Sequence, residues 1–169
     1  GECPDASAWM TFSARDDAHI SHGERIADCA AGLDALPQIV AIGVNCTAPQ
    51  HLPGLIAALR SATAKPIVVY PNSGETYDAT CGAWHGPATI DAFAQEARRW
   101  FDAGARLIGG CCRTTPTHIA QIAAWARRLG CFYPTPRKGK INLMSIGFIA
   151  RGLVPKGLIG VAGNQSINV

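Results

Sequence analysis

Four times between residues 8 and 130, a short apolar run is followed by a stretch with the apolar spacing of a helix. The runs are Ala8–Ser13, Gln38–Val44, Pro66–Tyr70 and Ala105–Gly109, three of them rich in Val or Ile and all bounded by turn residues. Continuous apolar runs of this length are the pattern of strands buried on both faces. The helical stretches put Ile26, Cys29, Ala30 and Leu33 at i, i+3, i+4 and i+7. Leu52, Leu55, Ile56 and Leu59 repeat that spacing, as do Ile90, Phe93, Ala94 and Ala97, and Ile119, Ile122, Ala123 and Ala126. Thr115 with Pro116 supplies an N-cap and a proline at the first helical position, while Gly104 and Gly130 are placed to end helices. Strand and helix alternating in this way require parallel strands joined by crossover helices, hence an α/β sheet or barrel.

A complete eight-unit barrel takes about 250 residues, so 169 residues with four units hold a small open sheet or half a barrel. After Gly130 the periodicity stops, and residues 131–169 are expected to form an irregular extension. The charge divides at the same point. Residues 1–130 carry a net charge of −2, whereas residues 131–169 contain Arg137, Lys138, Lys140, Arg151 and Lys156 and no acid. The body therefore has no basic footprint for nucleic acid or a membrane surface, and the tail is read as a solvated basic arm.

With 48% hydrophobic and 16% charged residues, an intrinsically disordered chain is excluded. No run of about 18 apolar residues is present to span a bilayer. The opening Gly1-Glu2-Cys3-Pro4-Asp5 lacks the basic-then-apolar pattern of a secretory signal, so a cytoplasmic, reducing location is expected. In that setting seven cysteines are core residues, metal ligands or nucleophiles rather than a disulfide framework.

Three of these cysteines stand where α/β proteins place their chemistry. Cys46 ends the second strand in Gly43-Val44-Asn45-Cys46, and Cys111 and Cys112 follow the fourth in Gly109-Gly110-Cys111-Cys112-Arg113-Thr114-Thr115-Pro116. Those positions are carboxyl ends of parallel strands. Three thiolates fill three corners of a tetrahedron and leave the fourth open, the arrangement of a catalytic zinc site. Buried, inert thiols satisfy the same spacing.

These two stretches, with Val68-Val69-Tyr70-Pro71-Asn72-Ser73-Gly74-Glu75 between them, resemble the three signature segments of the homocysteine S-methyltransferase family, in order, spacing and strand placement. The resemblance covers residues 8–130 and is closest to the branch using S-methylmethionine or S-adenosylmethionine. It implies a (β/α)₈ TIM barrel of which residues 1–130 supply the C-terminal half, strands five to eight, as a partial homocysteine-binding domain. It also implies Zn²⁺ held by Cys46, Cys111 and Cys112, with Asn72 as a further ligand in the absence of substrate; the alternative for Asn72 is a turn residue in Pro71-Asn72-Ser73-Gly74. Asn72 and Glu75 are expected at the substrate, with solvent exposure the alternative for Glu75. The implied reaction, a step of methionine biosynthesis, moves a methyl group from a sulfonium donor to the homocysteine thiol. The alternative is a truncated, non-catalytic remnant that retains zinc binding only. The partners implied are homocysteine and the donor, and a half-barrel is expected to self-associate through its exposed edge strands.

Other residues have blander readings beside functional ones. Gly109-Gly110 ahead of a helix suits a phosphate, but the cysteine pair favours metal. His85 and Tyr77 are read as exposed residues of a long segment, Pro71–Pro87, or as lining the site. Cys81 is read as a redox-sensitive bystander, and Cys29 as core. Cys3 and Cys131 have no assigned role.

Overall fold

The computed structural model describes residues 7–86 and 90–128. Four strands, β1 (Ala8–Phe12), β2 (Ile39–Asn45), β3 (Ile67–Tyr70) and β6 (Ala105–Ile108), form one sheet in the order β1-β2-β3-β6. Every neighbouring pair is parallel. Four helices connect or follow them: α1 (Ile26–Asp34), α2 (Leu52–Ala62), α3 (Ile90–Ala103) and α4 (Pro116–Arg128). All four expected strand–helix units are therefore present, with each strand end within one residue of its expected position. Gly104, at φ +122°, ends α3 in the left-handed backbone region that glycine adopts without steric cost. The proposed helix end at Gly130, and the extension 131–169, lie outside the described residues.

Sequential strand order in one direction, with right-handed crossovers, sends every helix to the same side of the sheet. That side is the hydrophobic core. Ile42 and Val44 of β2, Ile67 and Val69 of β3 and Ile108 of β6 pack against Ile26, Leu52, Leu55, Ile56, Leu59, Phe93, Ala97, Trp100 and Ile122 of the helices. Full burial of each large aliphatic side chain contributes about 1.5–3 kcal/mol. Trp100 is wholly buried, with its ring edge-on to Phe93 at 5.4 Å between centroids.

Residues of the opposite parity belong to the other sheet face. There the hydroxyls of Thr11 on β1 and Tyr70 on β3 lie 2.6 Å apart. Thr11 is in register with Gly43 of the intervening β2, which has no side chain to obstruct the contact. A Cβ at Gly43 would also collide with the Val68 carbonyl on β3, so glycine is required for β2 and β3 to approach.

One element was not expected. The segment between β3 and α3 contains an antiparallel hairpin, β4 (Thr76–Asp78) and β5 (Ala83–His85), where the sequence reads as a long loop. Tyr77 and Trp84 are opposite one another in it, with centroids 5.2 Å apart. Such cross-strand aromatic pairs stabilise two-stranded ribbons. Cys29, expected in the core, is only half-buried on α1.

Candidate metal centre

Parallel strands all point their carboxyl ends to one edge, so the loops leaving β1, β2, β3 and β6 are neighbours. Hydrogen bonds stitch them in sequence. Ala14 N–H donates to Thr47 Oγ1 at 2.8 Å, joining the loops after β1 and β2. Asn72 N–H donates to Thr47 O at 3.1 Å, joining those after β2 and β3. Cys111 N–H donates to Pro71 O at 2.8 Å, and Ser73 N–H to Cys112 O at 3.1 Å, fixing the double-cysteine loop against the loop after β3.

This stitching brings the three sulfurs together. Cys46 Sγ lies 3.2 Å from Cys112 Sγ, and the sulfurs of Cys46, Cys111 and Cys112 are all within 4.8 Å of one another. Cys46 reaches this position by leaving the extended conformation of β2 at φ 43° while its N–H still donates to Tyr70 O at 3.0 Å. Arg113, at φ 65°, makes the corresponding turn after the pair. Non-glycine residues held in this region cost of order 1–3 kcal/mol, and such strain concentrates at functional sites. At Gly110 a side chain would strike Thr114, whose Oγ1 donates to Cys111 O at 2.7 Å and closes the turn under the cysteine.

The donor chemistry fits a soft or borderline divalent cation. Burial, with Cys46 beside it, pushes the Cys111 thiol up to about 12. The Cys46 sulfur, and then burial, also raises Cys112. The Cys111 and Cys112 thiols are thus held protonated unless a positive charge is placed beside them. Zinc–sulfur bonds of about 2.3 Å give a tetrahedral sulfur–sulfur edge of about 3.8 Å. The observed spacing, from 3.2 Å to at most 4.8 Å, brackets that value.

Arg113 also makes the most extensive charged contact of the site. Its Nε and Nη2 donate to Glu75 Oε2 and Oε1 at 3.0 and 3.2 Å, and Ser73 Oγ donates to Oε2 at 2.8 Å. Arg113, then Ser73, holds the Glu75 carboxyl below the usual carboxylate range. Asn72 is buried, and its Oδ1 accepts the Gly74 N–H at 3.1 Å in a local Asx turn. Behind the pair, His118 takes the third position of α4 and its Nδ1 accepts from both Thr115 N–H at 3.1 Å and Thr115 Oγ1–H at 2.8 Å. That arrangement caps α4 as a carboxamide does in a capping box.

Sequence reasoning placed the three cysteines and Asn72 on this edge but assigned no role to Arg113, Ser73, Thr47 or His118. The available signal was Arg113 directly after the cysteine pair and Glu75 in the preceding strand's loop. Tyr77, by contrast, is exposed on the hairpin, with 53% of its surface accessible.

A parallel α/β sheet with three convergent cysteine sulfurs at the carboxyl ends of its strands defines an α/β protein with a candidate thiolate metal site. The profile of the homocysteine S-methyltransferase family matches residues 2–126, and the chain belongs to that family. It is 55% identical over 128 residues to homocysteine S-methyltransferase YbgG of Bacillus subtilis, covering 76% of this chain and 41% of that protein. It is 43% identical over 117 residues to selenocysteine methyltransferase of Astragalus bisulcatus, covering 68% of this chain and 35% of that one. The metallated crystal form of the homocysteine methyltransferase MmuM from Escherichia coli superposes with a TM-score of 0.59 at 41% identity, over 72% of this chain and 36% of that chain. The chain thus spans about two fifths of the length of these relatives. Among the described residues, no helix is long and apolar enough to cross a membrane.

Proposed function

We propose that this chain carries the metal-binding half of a homocysteine S-methyltransferase, its four units acting as strands five to eight of a (β/α)₈ barrel. The observation that carries the reading is the convergence of Cys46, Cys111 and Cys112 within 4.8 Å at the strand ends of a family member. In a closed barrel the sheet face bearing Thr11, Gly43 and Tyr70 is the interior, and β1 and β6, the two edges of the described sheet, are where further strands join. By composition, residues 131–169 are a separate basic segment of the sequence.

Cys46, Cys111 and Cys112 would hold Zn²⁺ as thiolates, with Asn72 as the proposed fourth donor. Bound zinc supplies a Lewis-acid position at which an added thiol, of ordinary pKa near 8.5, is favoured as thiolate. The remaining work belongs to position. Glu75, balanced by Arg113, and Asn72 would line the substrate end of the loop after β3. Thr47, Ser73 and the backbone of Pro71 keep that loop at a fixed distance from the cysteine pair. The methyl carbon passes from a sulfonium, S-methylmethionine or S-adenosylmethionine, to the homocysteine sulfur. The carbon–sulfur bond of the donor breaks to release a neutral thioether, so no general acid is needed. Holding acceptor and methyl group in line supplies much of the acceleration.

A second reading is zinc binding by these residues without methyl transfer on their own, since they correspond to about two fifths of the relatives' length. Methionine formation from homocysteine and S-methylmethionine by the zinc-loaded chain tests the first reading. Bound zinc without methionine supports the second. Size-exclusion mass tests the associated expectation that two copies pair through β1 and β6; a strictly monomeric chain contradicts it.

A further inference from the structure

The hairpin that the sequence pattern did not announce gathers a second set of ligand atoms. In its register, Thr76 is opposite His85 and Asp78 opposite Ala83. Residues two apart share a face, so Asp78 and His85 are diagonal neighbours on the face away from Tyr77 and Trp84. Cys81, in the connecting turn, completes the group. Its sulfur lies 3.5 Å from His85 Nε2, and the donor atoms of Asp78, Cys81 and His85 are all within 4.8 Å of one another.

The spacing has chemical content. Zinc bonds of about 2.3 Å to sulfur and about 2.0 Å to imidazole nitrogen give a tetrahedral sulfur–nitrogen edge of about 3.5 Å. Asp78 is already oriented, because its Oδ1 accepts the Thr80 N–H at 2.8 Å and the Thr80 hydroxyl at 2.6 Å. The Cys81 thiol and backbone N–H also bond the Asp78 carboxylate, so thiol and carboxylate already meet in the turn. One thiolate, one imidazole and one carboxylate select a borderline-soft transition ion and discriminate against Mg²⁺ and Ca²⁺, which take oxygen ligands.

We propose that Asp78, Cys81 and His85 form a second metal site, for Zn²⁺ or a similar divalent transition ion, with its remaining position open to water. The site bridges both strands of a ribbon that, as an isolated pair of three-residue strands, has little stability of its own. The hairpin joins the loop after β3 directly at Glu75, and Gly86 at its far end packs beside Glu75. A cation at the tip therefore stiffens the segment that presents Glu75 to Arg113. This site shares no ligand with the three-cysteine centre and does not rest on the methyltransferase reading.

Co²⁺ is the probe, added to the full, reduced, metal-free chain and followed by its thiolate charge-transfer and ligand-field absorption. The wild type is expected to take up an equivalent that both Cys81→Ser and His85→Ala lose while the remaining spectrum keeps its intense multi-thiolate band. Cys46→Ala is expected to do the converse, removing that band and sparing the hairpin equivalent. Co²⁺ uptake and spectra unchanged by Cys81→Ser and His85→Ala would overturn the proposal. So would loss of all binding in Cys46→Ala with its fold intact by circular dichroism. Because each ligand is on an exposed or half-buried hairpin position, the substitutions leave the core untouched.

Discussion

Arg113 grips Glu75 through two nitrogens, Nε to Oε2 at 3.0 Å and Nη2 to Oε1 at 3.2 Å, across 38 positions of sequence. The pair fastens the residue following the double cysteine to the loop after β3. Its partners around metal ligands are the kind whose loss costs about 10–100-fold in metal affinity. Glu75→Gln is expected to weaken zinc binding at the centre by about tenfold, read by competition with a chromophoric chelator. Unchanged affinity would limit the pair to surface decoration.

The same carboxylate has a pH signature. Its folded pKa is below the ordinary 4.5, because of Arg113 first and Ser73 second. The stabilisation is therefore present above about pH 4.5 and is lost as pH falls through the folded value. Urea midpoints measured from pH 6 down to pH 3 are expected to fall more steeply for the wild type than for Glu75→Gln.

His118 loses stability in the same direction, beginning at higher pH. It is 4% exposed, and burial lowers its pKa from 6.5, partly opposed by the charge of Glu75. The neutral ring is the folded form, with Nδ1 accepting from Thr115 and the proton on Nε2. Protonation at Nδ1 removes the acceptor that caps α4. Stability contributed here is full above about pH 6.5 and declines as pH falls toward the lower folded value. A thermal midpoint that drops between pH 8 and pH 5.5 in the wild type, and less in His118→Gln, is the expected result.

Trp100 separates size from polarity. The side chain is fully buried and its Nε1 has no hydrogen-bond partner among the described residues. Trp100→Ala is expected to cost about 3–5 kcal/mol through the cavity it leaves. Trp100→Phe removes an unpaired donor along with the volume and is expected to cost well under half as much. Chemical denaturation of the two variants gives the comparison. Gly43→Ala, whose Cβ would sit 2.6 Å from the Val68 carbonyl carbon, is expected to cost about 3 kcal/mol, at the upper end of overpacking.

The four strand–helix units were legible because burial imposes a period, and a period survives in sequence. Ile42, Val44, Ile67 and Val69 announce buried strands, while Leu52, Leu55, Ile56 and Leu59 announce one helix face. The cysteine centre was legible for a related reason: strand ends locate side chains in space as well as in sequence. The hairpin was not, because three-residue strands such as Thr76–Asp78 and Ala83–His85 are too short to display alternation. Its signal was Tyr77 and Trp84 on either side of a turn containing Gly82, which adopts φ +66°. The Glu75–Arg113 pair was illegible because two charges far apart in sequence carry no period. Only the stitched loops reveal that they meet.

In the proposed function Cys46, Cys111 and Cys112 together hold the metal. Elemental analysis of zinc retained after dialysis tests it, with Cys81→Ser as the parent chain so that only this centre is counted. Close to one zinc per parent chain is expected, with near-complete loss in each of Cys46→Ala, Cys111→Ala and Cys112→Ala while the fold is preserved. Retention of the parent's zinc by any of the three would contradict it.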